Sequence, residues 1–305
     1  MSKRDFLTIT DFSREEMDAT LTLAAEMKTH RFEYQSFGGG SAALIFKKPS
    51  LRTRISFDVG VHELGGHPIY ITDQEIGLGK RESTYDVGQV LSRFVRLIEI
   101  RTFEHQEVVD LANAASVPLI NGLTNEYHPC QIVADMMTIL ECKERLDGLT
   151  ITYLGDGNNI VHSWLKAAEL FEFNFRIGTV DTNDPDAEIL AHAKKIAGNR
   201  VSVIRDPVEA VSGADVLYTD VWASMGEKHL ADQNRSRLRP FQINDELLSH
   251  AAKDAIVLHC LPAVRGEEIT DSVMDGPQSR VFDEAENRLH AQKALMHMLL
   301  TECAG

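Results

Sequence analysis

The chain has 305 residues, 43% hydrophobic and 25% charged, which fits a globular protein with room for two domains and a large buried core. Its 46 acidic against 31 basic residues give a formal net charge of -15, a balance that argues against nucleic acid or an anionic membrane as partner. No apolar run reaches membrane-spanning length, and the start Met1-Ser-Lys-Arg-Asp-Phe lacks the apolar core of a signal peptide, so a cytoplasmic location is expected.

Apolar, β-rich runs alternate with helical patterns along almost the whole chain. In order, strands are expected at 42–46, 68–72, 97–101 and 117–120, with helical patterns at 55–64, 85–94 and 108–114 between them. The helix after the first strand should begin near Ser50, a good N-cap residue, and stop before Gly65-Gly66. A helical segment at 131–146, ending at Asp147-Gly148, is the expected connection between domains. Strands at 150–154, 174–179, 201–204, 216–219 and 256–259 then repeat the pattern, and a last helix covers about 285–300. The prediction is an α/β protein of two doubly wound parallel-sheet domains joined by helices. The first spans 1–136, with 285–305 packing back on it; the second spans 137–284.

Most residues suited to chemistry follow a predicted strand, where ligands bind in open α/β sheets. Ser50-Leu-Arg-Thr-Arg54 puts two guanidinium forks and two hydroxyls at a helix start, whose free N–H groups and dipole favour a phosphate. Arg101 ends the third strand. In His128-Pro-Cys-Gln131, Pro129 suits the first helical position and sets His128 and Gln131 one turn apart, where both can donate to a single carbonyl oxygen. Gly155-Asp-Gly157-Asn-Asn159-Ile160 resembles a dinucleotide-binding turn, but Ile160 occupies the place of the third glycine. Asn158 and Asn159 offer amides suited to a zwitterion such as an amino acid. Asp220 follows another strand and can hold an ammonium group, with Ser224-Met225-Gly226 just after it. His259-Cys260-Leu261-Pro262 closes the last strand. The four cysteines, Cys130, Cys142, Cys260 and Cys303, have no C-x-x-C spacing and indicate neither a zinc site nor a disulfide framework.

Taken in this order, Ser50-x-Arg-Thr-Arg54, His128-Pro-x-Gln131, Asp220-x-x-x-Ser-Met-Gly226 and His259-Cys-Leu-Pro262 resemble the aspartate and ornithine carbamoyltransferase family over the whole chain, with the last two motifs on its ornithine-using side. The resemblance implies transfer of a carbamoyl group from carbamoyl phosphate to the δ-amine of L-ornithine; N-acetylornithine and putrescine are the alternative acceptors. It implies that Ser50, Leu51, Arg52 and Thr53 hold the phosphate and that Arg101, His128 and Gln131 address the carbamoyl end. Cys260, Leu261 and Arg288 would complete the carbamoyl phosphate site, and Asn159, Asp220, Ser224 and Met225 would bind ornithine. Arg101, His128, Cys260 and Asp220 are the implied catalytic set, the Leu261–Pro262 bond is implied to be cis, and no metal or organic cofactor is expected. A homotrimer, or a multiple of trimers, is the implied assembly. Two positions depart from the family pattern: Leu51 stands where many ornithine enzymes have Thr, and Gly77 where many members carry Gln or His.

Overall fold

The computed structural model describes residues 3–222 and 231–302, which form two compact units. The first comprises the described residues up to Met137 together with those from Glu286 onward; the second runs from Thr138 to Ala285. Among the described residues no helix is long and apolar enough to cross a membrane.

The first unit holds a parallel sheet of β1 (Ser41–Phe46), β2 (His67–Thr72), β3 (Leu97–Arg101) and β4 (Leu119–Leu123), in the order β2-β1-β3-β4. β1 and β3 are continuous buried runs, as strands covered on both faces must be. Successive crossovers diverge between these two strands. Phe46 and Arg101 end them in register, and the Lys47 N–H donates to the Arg101 carbonyl at 2.9 Å. The loops that leave β1 and β3 therefore emerge side by side at a topological switch point.

β4 lies further along than the expected 117–120, because Asn121-Gly122 reads locally as a turn. Here the Asn121 N–H donates to the Phe6 carbonyl at 2.9 Å and its side-chain amide to the Leu7 carbonyl at 2.9 Å, so the N-terminal segment keeps it in the sheet. Gly122 sits at a shift of register, where β3 passes from Ile100 to Arg101 while β4 passes from Asn121 to Leu123. A Cβ at Gly122 would lie 1.8 Å from Oε1 of Glu99.

The helix Val281–Glu302 brings a fully buried lysine into this unit: Lys293 donates to Glu63 Oε2 at 2.8 Å and to the Arg31 carbonyl at 2.5 Å. Arg31 donates to the other oxygen of the same carboxylate, its Nε lying at 3.0 Å. A buried carboxylate is tolerated here because two cations share it.

The second unit contains β5 (Thr150–Leu154), β6 (Asn174–Gly178), β7 (Val201–Ile204), β8 (Val216–Thr219) and β9 (Ile256–His259), all parallel, in the order β7-β6-β5-β8-β9. Its switch point lies between β5 and β8, where Leu154 pairs with Thr219 and the Thr219 hydroxyl donates to the Leu154 carbonyl at 2.7 Å. The helix Asn159–Leu170 follows β5 and buries Ile160, Trp164 and Leu165. Trp164 meets Phe173 edge-on at 5.5 Å and stacks on Phe175 at 6.0 Å. Ile160 is thus a core residue, and burial of such a side chain contributes about 1.5–3 kcal/mol. That explains why the position of the third glycine is filled.

Candidate active site

In the first unit, the helix Arg52–Glu63 starts just beyond the C-terminal end of β1. Its cap position is Leu51 rather than the expected Ser50, and Leu51 is 67% exposed and supplies no capping oxygen. Ser50 still serves the helix start, since its Oγ accepts the Thr53 N–H at 3.3 Å. Arg52, half-buried, is the first helical residue. Arg54 lays its guanidinium over the Tyr70 ring at 3.8 Å, a cation–π contact that engages the second of the two expected phosphate forks.

Thr53 is buried and its hydroxyl is a meeting point. Arg288 donates to Oγ1 at 3.0 Å, and Arg101 approaches the same oxygen at 3.4 Å. Arg288 also donates to Gln131 Oε1 at 2.5 Å, while the Gln131 amide nitrogen donates to Asp135 at 2.7 Å. Both ends of the Gln131 amide are thus engaged, and its contribution here is to fix the Arg288 guanidinium. Arg101, Arg288, Gln131 and His128 are each at least nine-tenths buried. Lys48, equally buried, is bonded to Asn125 and lies over the Phe103 ring at 4.7 Å.

Burial first, and then the charges of Arg288, Arg101, Arg52 and Lys48, hold His128 well below the ordinary imidazole range. A neutral imidazole in this position is a hydrogen-bond donor that adds no charge. Cys130, the second residue of the helix Pro129–Lys143, is a core thiol: burial pushes it up to about 12, and its Sγ contacts the Asn121 carbonyl at 3.4 Å. The cluster as a whole concentrates positive charge in a chain of opposite overall sign.

In the second unit, the loops after β5, β8 and β9 converge on one carboxylate. Asp220 is buried and accepts three donors: the Asn158 amide at 2.8 Å on Oδ2, with the Val221 N–H at 2.8 Å and the Cys260 thiol at 3.0 Å on Oδ1. Asn158 also caps the following helix, its Oδ1 accepting the Ile160 N–H at 3.0 Å. Asn159 is the first residue of that helix. Of the pair of amides expected to face a ligand, Asn158 is therefore the one that orients Asp220. Ser224 and Met225 lie outside the described residues.

The turn after β9 is held from below. Leu261 has φ +58°, a left-handed conformation costing a residue with a Cβ roughly 1–2 kcal/mol, and the Leu261–Pro262 bond is cis. The Leu261 N–H donates to His259 Nδ1 at 2.9 Å, so that nitrogen carries no proton and Nε2 must donate to Glu268 at 3.0 Å. Glu268 accepts the Val264 N–H at 2.5 Å as well. His259 and Glu268, both fully buried, thereby fix the backbone that presents Cys260. Asp220, His259 and Cys260 place potential metal ligand atoms within 4.8 Å of one another, yet each of these atoms already takes part in the hydrogen bonds just described.

Two family models match the chain. Residues 4–141 match the family model for the aspartate/ornithine carbamoyltransferase carbamoyl-P binding domain, and residues 147–299 match that for the Asp/Orn binding domain. An ornithine carbamoyltransferase of Thermococcus kodakarensis is 47% identical over 306 residues, covering 98% of this chain and 97% of that protein. One from Anoxybacillus flavithermus is 45% identical over 97% of this chain and 96% of its own length. Among solved structures, the ornithine carbamoyltransferase from Pyrococcus furiosus superposes with a TM-score of 0.91 at 44% identity, covering 96% of each chain.

Proposed function

The chain belongs to the aspartate/ornithine carbamoyltransferase family, and from that premise we propose that it transfers the carbamoyl group of carbamoyl phosphate to the δ-amine of L-ornithine, giving L-citrulline and phosphate. The observation that carries the reading is the convergence of Arg101 and Arg288 on Thr53 at the start of a helix, a buried cationic cluster suited to a phosphate dianion. In the proposal the first unit binds carbamoyl phosphate through Ser50, Leu51, Arg52, Thr53, Arg101, His128, Gln131 and Arg288. The second supplies Asn159, Asp220, Ser224 and Met225 for ornithine, with Cys260 and Leu261 completing the carbamoyl phosphate site.

The chemistry follows from these groups. The δ-nitrogen lone pair attacks the carbonyl carbon, a C–N bond forms, and the carbonyl oxygen becomes an oxyanion that Arg101 and neutral His128 stabilise by donating to it. Collapse breaks the C–O bond to phosphate, which leaves with its charge neutralised by Arg52 and the helix N-terminus and takes up the proton that the nitrogen sheds. No electron transfer occurs and the leaving group is already activated, so the residues named account for the step. The attacking amine must be neutral, yet an alkylamine with a pKa near 10.4 is neutral in only about one part in a few thousand at pH 7. Asp220 and Cys260 are proposed to select and orient that form.

Phosphate release measured in parallel with ornithine, N-acetylornithine, putrescine and aspartate tests the reading; turnover favouring any acceptor but ornithine would overturn it. In the same enzyme, Asp220→Asn is expected to lower kcat/KM for ornithine by about 10- to 100-fold, the worth of one charge-assisted bond, and to change its pH profile. An unchanged profile would remove Asp220 from acceptor selection. The proposal extends to a cytoplasmic homotrimer or multiple of trimers. Exposed apolar side chains such as Ile55 (52%) and Phe94 (74%) support association, and sedimentation equilibrium reads the mass.

A further inference from the structure

The carboxylate of Asp220 is oriented by two stretches of chain, the turn after β5 that carries Asn158 and the segment after β8 that runs from Asp220 to Trp222. One side chain from a third loop reaches both. Asn183 lies in the short turn after β6, is buried, and uses its amide nitrogen as a fork: Nδ2 donates to Asp156 Oδ1 at 2.7 Å and to Asn234 Oδ1 at 3.3 Å. Its Oδ1 accepts the Thr182 hydroxyl at 2.9 Å, so both ends of the amide are engaged.

Each arm of the fork leads to Asp220. On the first, the Asp156 carbonyl accepts the Asn158 N–H at 2.8 Å, and the Asn183 carbonyl accepts the Gly157 N–H at 2.9 Å. The two loops approach too closely for a side chain between them, since a Cβ at Gly157 would lie 2.3 Å from the Pro185 nitrogen. The turn so held aims the Asn158 amide at Asp220 Oδ2. On the second arm, the side chain of Asn234, also buried, donates to the Trp222 carbonyl at 2.6 Å. Trp222 stands two residues beyond Asp220, and the N–H of the intervening Val221 holds Oδ1 of the same carboxylate.

We propose that Asn183 is a positioning residue for the amino-acid acceptor: through one amide it fixes the two stretches of chain that orient Asp220, and it acts on no reacting atom itself. The inference rests on the ornithine reading given above and places a determinant of acceptor affinity on a loop outside the site. Without the fork, the Asn158 turn and the Trp222 segment lose their common anchor, so that only a fraction of molecules present the carboxylate correctly. Apparent affinity for the acceptor falls by that fraction, whereas saturating acceptor restores the arrangement.

The test compares the parent enzyme with Asn183→Leu, which keeps most of the volume and removes the fork. KM for ornithine should rise about five- to thirty-fold, the order carried by one or two neutral hydrogen bonds, with kcat within about three-fold and binding of inorganic phosphate unchanged. In an Asp220→Asn background the same substitution should raise KM clearly less than in the parent, because the group it serves is already impaired. An unchanged ornithine KM with a lowered melting temperature would make Asn183 a purely structural residue and overturn the proposal, as would an undiminished effect in the Asp220→Asn background. Should Asn183→Leu fail to fold, Asn183→Asp keeps the shape and the bond from Thr182 but turns an acceptor toward Asp156; it too should raise the ornithine KM, and an unaltered value overturns the proposal. Failure of the parent reading looks different, because the unaltered protein itself would then not release phosphate from carbamoyl phosphate with ornithine.

Discussion

Replacing Arg101 with glutamine should lower kcat by about 10²- to 10³-fold while the fold is retained, because one preorganised donor to a developing oxyanion has that worth. The position gives the residue no substitute. Arg101 ends β3 at the switch point, its backbone carbonyl is fixed by Lys47, and its side chain is buried against Thr53. Arg288 approaches the same hydroxyl, but it is tied through Gln131 to Asp135 and is not free to move into the place of Arg101. Arg101→Lys should recover little, since a point charge cannot reproduce the planar fork. Steady-state kinetics with both substrates, accompanied by a thermal melt, reads the result. A kcat within about three-fold of the parent would exclude Arg101 from transition-state stabilisation.

The largest effect on stability is expected at Lys293. Lys293→Met keeps most of the buried volume but strands Glu63 with one cation in place of two, and removing one partner of a buried pair costs about 3–5 kcal/mol. Changing both, as Glu63→Gln with Lys293→Met, should cost less than the sum of the single changes. The pH dependence has a definite sign. Burial raises the Glu63 carboxyl, but Arg31 and Lys293 outweigh it and hold the group below its ordinary value. A depressed acid contributes stability above its unfolded pKa, about 4.3, and loses it as pH falls through the lower folded value. Chemical denaturation of parent and Lys293→Met at several pH values should therefore show the gap closing on acidification; a gap independent of pH would mean the loss is one of packing.

Much of the architecture was legible because buried parallel strands write themselves as apolar, β-branched runs. The strands ending at Arg101, Leu154, Ile204, Thr219 and His259 have their expected bounds. β4 was misplaced because Asn121-Gly122 has turn chemistry in isolation, and what keeps it in a sheet is Phe6, more than a hundred residues away in sequence. The helix Arg14–Thr29 went unread although Ser13 and Glu16 form a capping box at its start. The catalytic candidates were visible as residue types after strands, but their partners were not. Nothing local ties Asn158 to Asp220, or Arg288 to Thr53, since each link is made only by folding. Glu99 was equally hidden: a charged residue in a strand suggests an exposed face, and only the sheet order puts β3 inside.

The shared hydroxyl of Thr53 has one more implication. A hydroxyl oxygen has two lone pairs and one hydrogen, and here both lone pairs face guanidinium groups, the closer at 3.0 Å and the other at 3.4 Å. What normally works in both directions becomes a one-way group, able to offer its hydrogen and nothing else. An incoming anion finds a donor whose orientation is already set by two arginines. On the proposed reading a cationic amine would find no acceptor in this hydroxyl, which would then screen ligands by the sign of their charge before any question of shape arises.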